Sequence, residues 1–122
     1  MKTDPKVLST FLAAAIWADG EYDEFEKELG KDLADELEIP TLPVLLEKEI
    51  KATENMTEEA LADYLEETAK KVDKGESQGI LTLCLQMMCA DAFLAQDEMD
   101  NFFAFAEILG IDDAIATAIL DE

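Results

Sequence analysis

Two short acidic stretches carry the residues in this chain best suited to chemistry. The first, Trp17-Ala18-Asp19-Gly20-Glu21-Tyr22-Asp23-Glu24-Phe25-Glu26, breaks an apolar run on an Asp-Gly pair and restarts as an acidic helix. Seventy-two residues later, Cys89-Ala90-Asp91-Ala92-Phe93-Leu94-Ala95-Gln96-Asp97-Glu98 keeps the spacing, with Ala18 on Ala90, Asp19 on Asp91 and Glu26 on Glu98. Beyond the motif Ala34 falls on Ala106, Leu37 on Leu109 and Ile39 on Ile111, giving six identities between segments 18–39 and 90–111.

Carboxylates at a helix junction can do two things. Asp19 can clasp the turn by accepting backbone N–H bonds from residues 21–23, while Asp23 and Glu26 close the cap of the following helix. Alternatively Asp19 and Glu26, with Glu21 or Asp23, can surround a hard cation, and Asp91 and Glu98 can do the same in the second copy. Both readings stay open at this point. The ligands on offer are carboxylates and carbonyls, so an ion held there would be Ca²⁺, Mg²⁺ or Mn²⁺. The stretch is not an EF-hand loop: with Asp19 as its first position, the required glycine and final glutamate fall on Glu24 and Gly30.

Charge narrows the partners. Thirty acids against nine bases give a formal net charge of −21, all nine bases are lysines, and histidine and arginine are absent. Without arginine there is no bidentate fork for phosphate or guanine edges, and the net field repels polyanions, so nucleic acid and anionic membranes are not expected partners. Without histidine the usual imidazole base and the common zinc ligand sets are missing. Cations and basic proteins are the expected partners. No nucleophile–base pair, phosphate loop or redox pair stands out, and enzyme activity is not expected. Cys84 and Cys89, five apart, would sit about 140° from each other on a helix and read as structural thiols of a reducing compartment.

The elements that must position these acids read as helices throughout. Thr3 or Asp4 with Pro5 opens a first helix, carrying Val7, Leu8, Phe11, Leu12, Ala15 and Ile16 to about Ala18. Helix two, opened by Asp23 and Glu26, has an expected apolar stripe of Phe25, Leu29, Leu33 and Leu37 and stops at Pro40. A third, from Thr41 to Pro43 onwards, turns Leu42, Leu45, Leu46 and Ile50 inward and closes around Thr53 to Asn55. Thr57 caps a fourth, lined by Leu61, Leu65, Ala69 and Val72, with Glu66–Lys70 and Glu67–Lys71 expected as surface pairs. Helix five, about Ser77 to Asp91, is apolar nearly all round and is the expected central helix. A sixth, about Gln96 to Leu109, carries Phe102, Phe103 and Phe105, ends at Gly110, and is followed by a short helix after Asp112. No stretch alternates like a strand, so the expectation is a single all-α domain over residues 1–122, with about seven helices and two related hairpins. The N-terminus lacks a signal-peptide pattern, and the longest apolar region, Ile80 to Ala95, is too short to span a bilayer, so a cytoplasmic protein without membrane insertion is expected.

At Ala18-Asp19-Gly20 followed by Glu26, repeated as Ala90-Asp91 followed by Glu98, the sequence resembles the TerB-like family, named for the tellurite-resistance protein TerB. The resemblance covers nearly the whole chain. It implies an all-helical domain with two related hairpins, metal binding by the motif acids, and a role in tellurite resistance or stress response, or beside DnaJ-like co-chaperone domains. The second copy departs from the pattern: Ala92 stands for Gly20, and Phe93 and Leu94 stand for Glu21 and Tyr22. Alanine resists a left-handed turn by roughly 1 kcal/mol, so a differently shaped second turn is expected. The resulting expectation is a non-enzymatic, acidic, metal-responsive module. The alternative is a protein-interaction domain, co-chaperone-associated or scaffolding, whose motif acids are structural.

Overall fold

Proline, hydroxyl and acidic side chains set the helix starts. Asp4 accepts the Lys6 N–H at 2.9 Å through its carboxylate, and Pro5 occupies the first position of α1 (Pro5–Asp19), where a missing N–H costs nothing. The remaining helices are α2 (Glu24–Glu36), α3 (Leu42–Thr53), α4 (Glu58–Ala69), α5 (Ser77–Met88), α6 (Gln96–Ile108) and α7 (Asp113–Leu120). A 3₁₀ turn at Lys74–Glu76 leads into α5, and Thr57 caps α4 by accepting the Ala60 N–H at 3.1 Å. The computed structural model describes residues 2–19, 24–89 and 96–121, with the side chains of Ala18, Asp19 and residues 96–98 outside that description. Among the described residues there are seven α-helices and no strand, so the chain is all-α. None of these helices is long and apolar enough to cross a membrane.

The expected centre of the fold changes places. Every residue of α1 from Val7 to Ile16 is buried, and the helix packs on α3, α4, α5 and α6. Its small residues Ala13, Ala14 and Ala15 let neighbours approach from several sides, and the buried Ser9 and Thr10 hydroxyls bond back to the Lys6 carbonyl at 2.7 and 3.0 Å. Helix α5, which reads in sequence as apolar nearly all round, is the more peripheral of the two. It buries Ile80, Leu81, Cys84, Met87 and Met88 but leaves Gln78, Gly79 and Gln86 exposed and Leu83 and Leu85 half-buried. On α4, the ion pair that forms is Lys70–Glu67 at 3.0 Å, three residues apart rather than four.

Helix α2 is rotated by about one residue from the expected stripe. Its buried face is Glu26, Gly30, Leu33 and Ala34, whereas Phe25 is 64% exposed. The cause lies in the packing on α3, since a Cβ at Gly30 would stand 3.4 Å from Leu46 Cδ2. The small residues Gly30 and Ala34, four apart, let the two helices come close. Presenting them to α3 turns Phe25 outward and carries Glu26 in.

The chain repeats itself at the level of elements. Helix α1 starts at residue 5 and α5 at 77, while α2 spans 24–36 and α6 spans 96–108, the same offset of 72 each time. The buried Phe102, Phe105 and Ala106 of α6 occupy the positions of Gly30, Leu33 and Ala34 on α2. Helix α4 is the element interposed between the two sets.

Candidate functional site

Of the acids singled out by spacing, Glu26 is the one whose side chain is described. Glu21, Asp23 and Asp91 lie outside the described residues, as do the side chains of Asp19 and Glu98. Glu26 sits in the first turn of α2, completely buried, with interactions of its own. The α2 rotation that hides Gly30 against α3 puts it there. Among the described residues no three His, Cys, Asp or Glu side chains converge as an ion would require.

A second carboxyl group is buried where sequence reasoning placed none. Glu49 of α3 is almost fully buried and accepts the Thr10 hydroxyl of α1 at 3.0 Å and the Tyr64 hydroxyl of α4 at 3.1 Å to each oxygen. One turn on, Thr53 donates to the Glu49 carbonyl at 2.7 Å and accepts the Trp17 indole N–H at 2.8 Å. Buried polar groups need partners, and here neutral donors from two other helices supply them. The signal was present in the spacing, because Glu49 and Thr53 fall on the same face as Leu42, Leu46 and Ile50. With bonds reaching from α3 to both α1 and α4, the cluster holds three helices together.

A third carboxylate joins the ends of the chain's two sets of helices. Glu76 accepts the Lys2 N–H at 2.8 Å and both the N–H and hydroxyl of Thr3 at 2.6 Å, and the Thr3 hydroxyl in turn accepts the Asp73 N–H at 3.2 Å. The Thr3 hydroxyl bond, helped by the two backbone N–H groups and opposed by partial desolvation, holds the Glu76 carboxyl below its ordinary 4.5. Burial pushes the Cys84 thiol up to about 12, which leaves it inert.

Among the grooves that open on the surface, two lie between helices. One, of about 500 Å³, runs between α2 and α5, lined by Leu29 and Leu33, with Phe25 at its edge and Glu28, Asp32 and Glu36 as an acidic wall. Gln86 and Cys89 form its other side. The second, of about 620 Å³, lies between α1, α4 and α6 and includes Trp17, Leu61, Phe105 and the acids Glu54, Glu58 and Asp100. The chemistry of both grooves is that of apolar surfaces edged by carboxylates, which suits recognition of a cationic, partly apolar partner. Comparison with protein-family models, curated proteins and solved structures finds no match to this chain.

Proposed function

We propose that this chain is a non-enzymatic, acidic helical module that binds a basic protein partner. The observation that supports it is charge left uncompensated within the fold. Between described residues the ion pairs are Lys27–Glu24 at 4.0 Å and Lys70–Glu67 at 3.0 Å, both on exposed helix faces, in a sequence with thirty acids and nine lysines. Such a surface steers cationic partners and repels nucleic acid. Selection from an unbiased peptide display library at physiological salt tests the reading. Enrichment of sequences that combine Lys or Arg with Leu or Phe is expected, and an enriched pool without cationic bias, or retention of the protein on duplex DNA at that salt, overturns it.

The complete burial of Glu26 favours a second reading, in which Asp19, Glu21, Asp23 and Glu26, and Asp91 with Glu98, hold a divalent cation in the manner implied by the TerB resemblance, with the stress or tellurite-resistance role that goes with it. Ca²⁺, Mg²⁺ and Mn²⁺ titrated against melting temperature test this. A cation-dependent rise that Asp19→Asn abolishes, and Asp91→Asn reduces less, is the expected result. If Asp19→Asn instead destabilises the ion-free protein by about 1–2 kcal/mol, and no cation has an effect, the acids act as a clasp.

A further inference from the structure

The groove beside α2 has a counterpart elsewhere in the fold, walled there by one helix more. Moved by 72 residues, its acidic wall Glu28, Asp32 and Glu36 becomes Asp100, Ala104 and Ile108 of α6. Moved back by the same step, Gln86 and Cys89 become Ala14 and Trp17 of α1. These are residues of the second groove, and there a third helix is present: α4 packs on both α1 and α6, with Leu61 and Leu65 along the groove. Among the described residues no helix stands in the corresponding place over α2 and α5, and Phe25 is left 64% exposed at the edge.

We infer that the α2–α5 groove receives one basic amphipathic helix from a partner protein, seated as α4 is seated over α6 and α1. This rests on the basic-partner reading proposed above and gives it a place and a shape. The occupant is a helix because the equivalent groove already takes one, and because the described residues offer no strand edge for an extended peptide to join. Its charge follows from the difference between the walls. Helix α4 carries five acids and no base, yet packs on α6, whose row presents a single acid followed by Ala104 and Ile108. The α2 row presents three carboxylates, spaced about 6 Å apart by the helical rise, and none is ion-paired with a described lysine. Facing it, α5 has no charged residue between Ser77 and Met88. A helix as acidic as α4, or a second copy of a chain of net charge −21, meets repulsion there, whereas Lys or Arg at four-residue spacing finds partners. Room for apolar anchors comes from the other wall, where Cys89 stands in place of the bulkier Trp17, whose indole lines the equivalent groove.

Fluorescence anisotropy with a designed Leu/Lys amphipathic helix, its Leu/Glu counterpart and a scrambled Leu/Lys peptide of the same composition tests this on the full chain. The Leu/Lys helix is expected to bind at physiological salt and the other two to bind at least about tenfold more weakly. Phe25→Asp, and the pair Glu28→Lys with Asp32→Lys, should each weaken binding about tenfold or more, while Asp63→Lys with Glu66→Lys, the same charge change on exposed positions of α4, should leave it within about twofold. All these positions are exposed, and circular dichroism confirms that the variants stay folded. Cys89 supplies a local readout: Cys84 is buried and inert, so maleimide should modify Cys89, and the seated peptide should slow that reaction. If the Leu/Lys helix binds but the α2 and α4 variants weaken it equally, the groove assignment is overturned while the basic-partner reading stands. Binding of the scrambled peptide as tightly as the helix overturns the helical occupant. If neither cationic peptide binds, or if the Leu/Glu helix or self-association fills the groove, both readings fall.

Discussion

The two hairpin helices α2 and α6 end the same way with different residues. In α2 the Ile39 N–H bonds to the Ala34 carbonyl at 2.8 Å, and in α6 the Ile111 N–H bonds to the Ala106 carbonyl at 2.8 Å. Both closures need a left-handed residue just before the isoleucine, which is Gly110 with φ +76° in one and Glu38 with φ +58° in the other. Glycine takes that conformation without cost, and a glutamate does not. The turn at Glu38 is therefore imposed by what surrounds it, with Leu37 and Ile39 packed against the core and Pro40 blocking continuation of the helix. The same contrast runs along the buried faces. Position 30 is a glycine that brings α2 close to α3, and the equivalent position 102 is a fully buried phenylalanine. The starts differ too. Asp4 caps its own helix, while Glu76, 72 residues on, reaches across to the backbone of Lys2 and Thr3. One backbone plan thus accommodates different local solutions, and each difference can be probed by making the halves alike.

The largest effect is expected at the buried pair. Phe102→Ala should cost about 3–5 kcal/mol in denaturant unfolding, from lost burial plus the cavity left behind. Gly30→Ala should go the other way, raising stability by up to about 1 kcal/mol, because the new Cβ just fits against Leu46 and alanine is the better helix former. Losses of similar size at both sites would show that α2 and α6 are packed alike after all. Next come the helix ends, where Glu38→Gly should stabilise by about 1 kcal/mol and Gly110→Ala should destabilise by about as much. Nothing lies within 4 Å of a Cβ at Gly110, so that change isolates the backbone, and a neutral result there would mean the closing turn is not held in the left-handed form.

The smallest effect concerns acid. Glu76 is held below the ordinary carboxyl value, first by the Thr3 hydroxyl and then by the backbone N–H groups. A lowered folded-state value contributes stability that is present above the unfolded value and is lost as pH falls through the folded one. Melting temperature should therefore fall less steeply with acid for Glu76→Gln than for the wild type between about pH 5 and 2, with the two curves closest at the acid end. Parallel curves would mean that the bonds to Lys2 and Thr3 contribute nothing to stability.

Much of this fold was legible in the sequence. The helix starts at Pro5 and Thr57, the break at Asp73 to Glu76 and the turn after Leu109 are written in local chemistry, and local chemistry acts over a few residues. What failed depended on neighbours. The inward face of α2 was assigned by hydrophobicity, but Gly30 and Ala34 set it by allowing close approach, so Phe25 and Glu26 exchanged roles. Helix α5 is more apolar than its surroundings require, while α1 became central because its alanines admit more helices. The inward side of Glu49 follows from its place on the apolar face of α3, but the hydroxyls that satisfy it lie 39 residues before it and 15 after, a distance across which spacing carries no information. Apart from Glu26, the side chains of the motif acids lie outside the description, and their grouping rests on the repeated spacing. The grooves were foreshadowed only by the acidic residues of α2.

Glu49 also settles a question that apolar packing leaves open. Leu42, Leu46 and Ile50 recur nearly once per turn of α3, so sliding the helix by one turn, about 5.4 Å, would bring one large aliphatic side chain where another had been, at little loss of buried surface. The same slide would carry the Glu49 carboxyl away from both Thr10 and Tyr64 and strip a buried carboxyl of the bonds that satisfy it, a loss on the order of several kcal/mol. Oil alone would let α3 ratchet along its groove. The carboxyl group acts as the pawl, admitting one longitudinal setting of α3 against α1 and α4.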